Sequence, residues 1–189
     1  MAGPDGMHER VAAGALAAAT EHGWAGATLA RIAEASGTSR MTLHRHGLGR
    51  EEIFQLLARA YERDMRVTLA AAVAEPGAAA DRLRSGLASV CAVSERHLAF
   101  LRGLDEEEDT RLFHVDGVSR AGFVAPLERV LREGMRDGSF RKLPVRATAT
   151  LLVNAADRTY RHMRAAHGWS PARSRQAIDL LVRGISTGR

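Results

Sequence analysis

The stretch ATLARIAEASGTSRMTLHRHGLGREEIF, residues 27–54, decides the fold of this 189-residue chain. It predicts two short helices joined by a tight turn and followed by the start of a long third helix. Thr28 is placed to cap the first helix, and Thr38 or Ser39 to cap the second. Gly37 supplies the turn because glycine adopts positive φ without steric cost. The pattern indicates a helix-turn-helix.

The second helix of this pair is basic and contains no acidic residue. Leu43 is expected to face inward, which leaves the other positions of the helix on an exposed arc. An exposed helix held on an apolar platform in this way can enter the major groove of DNA. The residues that we expect to contact DNA are Thr28, Ser39, Arg40, Met41, Thr42, His44, Arg45, His46 and Arg50.

Different chemistry is expected from different members of this set. Arg40 or Arg45 can form a bidentate pair with guanine, which contributes about 1–3 kcal/mol of discrimination. Met41 can contact a thymine methyl group. The side chains better suited to phosphates, which fix register and carry little sequence information, are Thr28, Thr42, His44, His46 and Arg50.

Total charge adds little to this inference. The chain has 27 basic and 22 acidic residues, a net charge of +5. Residues 1–64 hold seven arginines against eight acidic residues, so the basic excess lies elsewhere. The prediction of DNA binding therefore rests on local placement.

The remainder of the chain is rich in alanine and leucine and has no long alternating β-branched run, which predicts an all-α protein. We expect an N-terminal three-helix DNA-binding domain over residues 1–49 and a C-terminal bundle of about five to six helices over residues 50–189. The predicted helices span residues 7–22, 50–74, 78–95, 97–104, 117–136, 144–166 and 171–186.

Several classes of function lack support in the sequence. Cys91 is the single cysteine, so no intrachain disulfide can form and a cytoplasmic setting is expected. No apolar run approaches the roughly 18 residues of a membrane span. No nucleophile elbow, P-loop, dinucleotide fingerprint or H-E-x-x-H helix is present. We therefore expect neither an enzyme nor a metal site nor a cofactor.

Four local patterns together resemble the TetR family of bacterial repressors. They are the E-x-G-aromatic of Glu21–Trp24, the A-x-x-x-G of Ala33–Gly37, the S-x-x-T-L of Ser39–Leu43, and the basic residue, Glu pair and apolar residue of Arg50–Ile53. The match covers about the first 55 residues.

This resemblance implies a ligand-responsive repressor that binds a palindromic operator in double-stranded DNA as a homodimer. A small-molecule effector, for which an apolar compound is favoured, would release it by stabilising a conformation with wrongly spaced recognition helices. The implied effector pocket includes Val90, Val93, Leu98, Leu101, Phe113, Phe123 and Leu127. The implied dimer interface, on the last two helices, includes Ala149, Leu152, Ala156, Leu180 or Leu181, and Ile185.

The chain departs from the family pattern at His44–Gly47. The phosphate-contacting tyrosine of the family corresponds to His44, and its core phenylalanine to Gly47. A missing ring costs about 2–4 kcal/mol unless another side chain fills the space, and Leu48 is placed to do so. Two histidines predict DNA affinity that rises as pH falls toward about 6. The alternatives are a sensor of the same fold with degenerate DNA binding and, less favoured, a small helical enzyme.

Overall fold

The computed structural model describes residues 4–104 and 120–187, and helices dominate both ranges. The helices described there, numbered α1 to α9 in chain order, are Pro4–Gly26, Leu29–Ala35, Arg40–Arg45, Arg50–Ala74, Ala79–Arg96, Leu98–Leu101, Arg120–Arg136, Val145–His167 and Pro171–Ile185. The predicted all-α fold is confirmed. None of these helices is both long enough and apolar enough to cross a membrane.

The helix-turn-helix consists of α2 and α3, and a side-chain cap begins each helix. Thr28 Oγ1 accepts a hydrogen bond from the Arg31 N–H at 3.4 Å, and Ser39 Oγ accepts one from the Thr42 N–H at 3.1 Å. Between the helices Gly37 has φ +62°, in the left-handed region that favours glycine. These are the caps and the turn that the sequence predicts, with Ser39 in the capping role.

Residues 4–62 and 97–104 form one compact unit. Three aromatic rings lie at its centre, from α1, α4 and α6. The ring of Trp24 lies 5.0 Å from that of Phe100 and 6.4 Å from that of Phe54, and the Phe54 and Phe100 rings are 5.7 Å apart. Trp24 is therefore a core residue of this unit, just beyond Gly23, where α1 departs from helical geometry.

Close packing of α1 on α2 requires a glycine on α1. A Cβ built on Gly14 would lie 2.7 Å from the backbone nitrogen of Ser36, closer than real Cβ atoms approach. Val11 and Ala18, on the same stretch of α1, are buried, as are Ile32 and Ala33 of α2. The contact between α1 and α2 therefore holds the helix-turn-helix against α1.

Residues 63–96 and 120–187 form the second compact unit, in which α5 contacts α7, α8 and α9. Its core includes Leu83, Leu87 and Val90 of α5, all inaccessible to solvent, with Leu127 and Leu131 of α7. Burial of leucine and valine side chains of this kind contributes about 1.5–3 kcal/mol each. The second unit therefore has a hydrophobic core of its own.

Candidate nucleic-acid interface

The fold gives α3 one buried anchor and an exposed face. Leu43 is 1% exposed and points into the first unit, whereas Met41 is 74% exposed. The remaining residues of α3 and its C-cap that lie exposed at the surface are Arg40, His44, Arg45 and His46, and Thr42 is half-buried. The predicted division of this helix into an inward leucine and an outward basic arc is what the structure shows.

The surroundings of α3 are also poor in acidic groups. Between residues 27 and 50 the sequence contains four arginines and one acidic residue, Glu34, which is exposed on α2. A local excess of cationic side chains attracts the phosphates of a nucleic acid whatever the net charge of the whole chain. The segment around α3 therefore carries a local excess of cationic side chains.

Hydroxyl groups line the beginnings of α2 and α3. The Ser39 and Thr42 hydroxyls lie 2.9 Å apart, and Ser39 Oγ also caps α3. Thr28, the cap of α2, is exposed. Because a hydroxyl that accepts a cap hydrogen bond still has its own hydrogen to donate, Thr28 and Ser39 can each donate to a phosphate oxygen.

Arg50 occupies a different position from the one expected of a phosphate contact. Its guanidinium donates to the carbonyl of Ala27 at 3.0 Å and to the carbonyl of Trp24 at 2.8 Å. The same group lies 3.9 Å from the centroid of the Trp24 ring. Each terminal nitrogen of Arg50 donates one of these bonds, so we infer that Arg50 positions the end of α1 against the start of α4, and the predicted phosphate contact is the competing role.

The turn between α3 and α4 contains the departure from the family pattern. Leu48 is 5% exposed, and its N–H donates to the Leu43 carbonyl at 2.9 Å. The Gly49 N–H donates to the Glu52 carboxylate at 3.0 Å, which caps α4 in the manner of a capping box. Leu48 is thus buried as predicted, yet a cleft of about 650 Å³ remains beside it. The residues lining this cleft are Leu29, Arg40, Met41, Leu43, His44, Gly47, Leu48 and Gly49.

Comparison with known proteins identifies the fold. No family profile matches the sequence, and no curated protein matches it. Among solved structures, the TetR-family regulator PfmR of Thermus thermophilus is similar over 100% of both chains, with 20% identity and a TM-score of 0.66. A regulatory protein of the same family from Rhodococcus RHA1 is similar over 97% of this chain and 98% of its own, with 18% identity and a TM-score of 0.68. The chain has the TetR fold.

A third similar structure was solved with a ligand. The transcriptional regulator FadR of Bacillus subtilis, in complex with stearoyl-CoA, is 17% identical, with a TM-score of 0.73 over 94% of this chain and 98% of its own. At these identities the likeness establishes the architecture shared by the chains.

The residues predicted to line an effector pocket fall into both compact units of this TetR fold. Val90, Val93 and Leu127 are buried in the second unit, and Leu98 and Leu101 are buried in the first. Phe113 lies outside the described residues, as does the side chain of Phe123. Burial is common to core residues and pocket residues, so these positions stay a prediction.

Three residues predicted to form a dimer interface are buried within the chain itself. Ala149 is inaccessible to solvent, and Leu152 and Ala156 are 5% and 4% exposed. Ala149 and Leu152 therefore pack inside the second unit, which corrects their predicted role, whereas Ala156 also lines an apolar groove between α8 and α9. Leu181 and Ile185 are half-buried. Helical spacing on α8 identified an apolar face correctly but did not show what covers it.

Two leucines in the described part of the last two helices remain exposed, and only one of them, Leu180, was predicted from the sequence as a candidate for the dimer interface. Leu151 of α8 and Leu180 of α9 are each 69% exposed. Leu180 borders an apolar groove of about 230 Å³ between α8 and α9. The other residues lining it are Cys91, Ala155, Ala156, Thr159, Tyr160, Met163, Trp169, Ala177, Ile178 and Leu181. Large exposed apolar side chains beside a groove are a feature of surfaces that bind a partner.

An ionic network at one side of this groove was not predicted. The Arg164 guanidinium donates to both carboxylate oxygens of Glu95, at 2.8 and 2.6 Å, and also to the Trp169 carbonyl. The Tyr160 hydroxyl donates to Glu95 at 2.7 Å. The Arg164 hydrogen bonds hold the pKa of Glu95 below its ordinary value, while burial and the Glu95 carboxylate raise the pKa of Tyr160. The network ties α5 to α8, and it joins residues about 65 positions apart.

Cys91 is buried, as the sequence predicts. Its thiol lies 3.8 Å from the Ala156 carbonyl. Burial, with a smaller contribution from the Asp157 carboxylate, raises its pKa to about 12. Because the thiolate is the reactive form, this cysteine behaves as a small core residue.

Proposed function

We propose that this protein is a transcriptional regulator that binds a palindromic operator as a homodimer and is released by a small-molecule effector. The observation that carries the proposal is the construction of α3. Ser39 caps it, Leu43 anchors it, and its outward face is basic and free of acidic residues. A short helix built in this way is suited to the major groove of DNA.

The proposed division of labour on α3 follows from the side chains. Arg40 and Arg45 are exposed and can each pair with guanine O6 and N7. Met41 offers an apolar surface to a thymine methyl group. The Thr28 and Ser39 hydroxyls, with His44 and His46, contact phosphates and set the register of the helix in the groove.

Two copies are required because one recognition helix contacts only a few base pairs. A two-fold dimer places two such helices on half-sites that mirror its symmetry. We place the interface on the outward face of the last two helices, at Leu151, Leu180 and the groove beside Leu180. This face replaces the predicted positions Ala149 and Leu152 and retains Ala156, which lines the groove.

The effector acts by binding one conformation of the dimer more tightly than another. Its maximal effect on DNA affinity equals that difference in affinity, typically 5–150-fold. Because every predicted pocket position carries an apolar side chain, an apolar compound is the favoured effector. The stearoyl-CoA bound by the Bacillus subtilis protein makes long-chain acyl thioesters a reasonable first panel.

The proposal is tested by selection from random DNA duplexes at two salt concentrations. The full-length chain should enrich a palindrome whose half-sites are one helical turn apart. Its affinity should fall steeply between 50 and 200 mM salt, since several phosphate contacts release counterions. Enrichment of no sequence at either salt concentration would contradict operator binding.

A sensor of the same fold that no longer reads DNA is the second candidate. The cleft left at Gly47 and the histidines that replace the aromatic residues favour it. Effector binding without any DNA binding in the selection experiment would support this alternative. We propose no enzymatic activity, and hydrolytic turnover on a broad substrate panel would overturn that view.

A further inference from the structure

The cleft beside α3 is large and mostly apolar. Its volume of about 650 Å³ lies within the range of small-molecule binding sites, roughly 300–1,000 Å³. Leu29 of α2, Leu43 of α3 and Leu48 of the following turn contribute its apolar walls. Leu43 and Leu48 are 1% and 5% exposed, so they form a floor of small accessible area that the core of the first unit holds in place, while half-buried Leu29 presents more surface. The cleft is therefore part of a packed scaffold.

The ionisable side chains that line the cleft are all basic. Arg40 and His44 are the lining residues that carry or can acquire charge, and both are basic. An acidic group lies at the cleft edge: the Glu52 carboxylate, which caps α4 by accepting the N–H of the lining residue Gly49 at 3.0 Å. A cleft with apolar walls and a basic rim is complementary to an apolar molecule with one anionic group.

The cleft also lies on the surface that the proposed function assigns to DNA. Arg40, Met41 and His44 line it and belong to the exposed face of α3. A ligand seated there would occupy the space that a DNA strand needs in order to approach these side chains. A Cβ built at Gly47 would meet no atom within 4 Å, so this lining position leaves the cleft open.

We propose that this cleft binds small amphipathic anions, with an apolar body against Leu29, Leu43 and Leu48 and an acidic group near Arg40 and His44. Such a ligand excludes DNA from α3 by direct competition. The existence of the site is independent of the proposed function, whereas its effect on DNA rests on that function.

The dependence of DNA affinity on ligand concentration distinguishes direct competition in the cleft from release of DNA by an effector in a remote pocket. A competing ligand at ten times its dissociation constant weakens DNA binding about elevenfold, and the loss continues to grow with ligand concentration. A remote effector lowers affinity only until its coupling factor is reached, after which further ligand has no effect.

The site is tested first without DNA, by isothermal titration calorimetry of the full-length chain. The probe is 2-naphthoate, and the neutral match is 2-naphthamide. We expect 2-naphthoate to bind about tenfold more tightly than the amide. The double variant Arg40→Gln, His44→Gln should remove that preference, while Arg136→Gln, which removes an exposed charge at the end of α7, should preserve it. Equal binding of the two probes, or an unchanged preference in the double variant, overturns the assignment of the anionic subsite.

A filling variant tests the apolar subsite. Leu29→Phe should weaken binding of both probes at least fivefold because the larger side chain takes up cleft volume. The matched control Val67→Phe adds the same ring at an exposed position of α4 and should bind as the wild type does. Circular dichroism and the melting temperature establish that each variant is folded. If the folded Leu29→Phe variant binds both probes as tightly as the wild type does, the probes do not bind in this cleft and the proposed location is wrong.

Competition with DNA completes the test, using the duplex enriched by selection. The apparent Kd for DNA should rise in proportion to 2-naphthoate concentration without a plateau, and a plateau overturns direct exclusion. If the chain binds 2-naphthoate as described but binds no duplex, the proposed function fails together with the exclusion of DNA, while the calorimetry still supports the cleft as a site.

Discussion

A single guanidinium, that of Arg50, joins the end of α1 to the start of α4. It makes two hydrogen bonds to backbone carbonyls and stacks on Trp24. Carbonyls at the end of a helix lack partners within the helix and carry partial negative charge, so a cation there is favourable. The sequence shows a basic residue before a Glu pair but does not show that its partners lie 23 and 26 residues away.

Arg50→Ala should lower the free energy of unfolding by about 1–3 kcal/mol, because it removes charge-assisted hydrogen bonds and a cation–π contact. Arg50→Lys keeps the charge but loses the bidentate geometry, so it should recover only part of that loss. Urea denaturation measures both. For DNA, the slope of log K against log salt should stay as in the wild type.

Arg45→Ala is the matched comparison, since Arg45 is exposed on α3. It should relax the preference for one base pair of the enriched site, with a loss of about 1–3 kcal/mol in the free energy that discriminates this base pair from others. The free energy of unfolding should change little. A salt slope that falls in magnitude by about one in Arg50→Ala would instead show that Arg50 contacts a phosphate.

At the scale of helices, local chemistry explains why so much was predictable. Thr28, Ser39 and Ser170 cap the helices that follow them, and Gly168 ends α8 in the left-handed conformation. Each of these signals acts over three or four residues, which is the distance that a sequence pattern records. The contacts between helices lack such signals, because they join residues that are far apart in the chain.

The contact between α1 and α2 at Gly14 gives a testable prediction about helix packing. Gly14→Ala should destabilise the chain by about 1–3 kcal/mol, although alanine is the better helix former, because its methyl group would press on the backbone of α2 at Ser36. Gly184→Ala is the control: a Cβ there meets nothing within 4 Å, so the change should be neutral or slightly stabilising. Urea denaturation distinguishes them, and equal effects would refute tight α1–α2 packing.

The Glu95–Arg164–Tyr160 network makes stability depend on pH. The folded protein holds the pKa of Glu95 below its ordinary value of 4.5, chiefly through the Arg164 hydrogen bonds. Its contribution is therefore fully present above pH 4.5 or so and is lost as pH falls through the lower, folded-state pKa. Glu95→Gln should reduce stability at pH 7 and reduce the difference between pH 7 and pH 3. Denaturation curves at both pH values check this, with exposed Glu75→Gln as the control.

At the scale of the whole molecule, the proposed dimer depends on which face of the last two helices is free. Ala149, Leu152 and Ala156 recur at spacings that suit either an internal core or a partner helix. The position of α5 decides whether these residues face an internal core or a partner helix. The helices that pack on α5 come from distant parts of the sequence, so a local pattern does not reveal that position. The same limit applies to the predicted effector pocket, since buried leucines and valines line pockets and cores alike.

Leu151→Asp, Leu180→Asp should convert a dimer into a monomer, because each change places a charge in the proposed interface. Sedimentation velocity measures the shift, and the monomer should lose most of its affinity for a palindrome while keeping its helical content. Val67→Asp alters an exposed apolar residue of α4 and should leave the dimer intact. A double variant that still sediments as a dimer would exclude this face.

The placement of residues 97–104 has a consequence for anyone who builds hybrid regulators. Phe100 completes the aromatic cluster with Trp24 and Phe54, and Gly103 lies so close to Trp24 that a Cβ there would come within 2.3 Å of the Trp24 Cβ. The first unit, which contains the proposed recognition helix, is therefore discontinuous in the chain. A graft that transfers only residues 1–62 leaves Trp24 facing a foreign segment, whereas one that also transfers residues 97–104 carries the whole aromatic cluster to its new host.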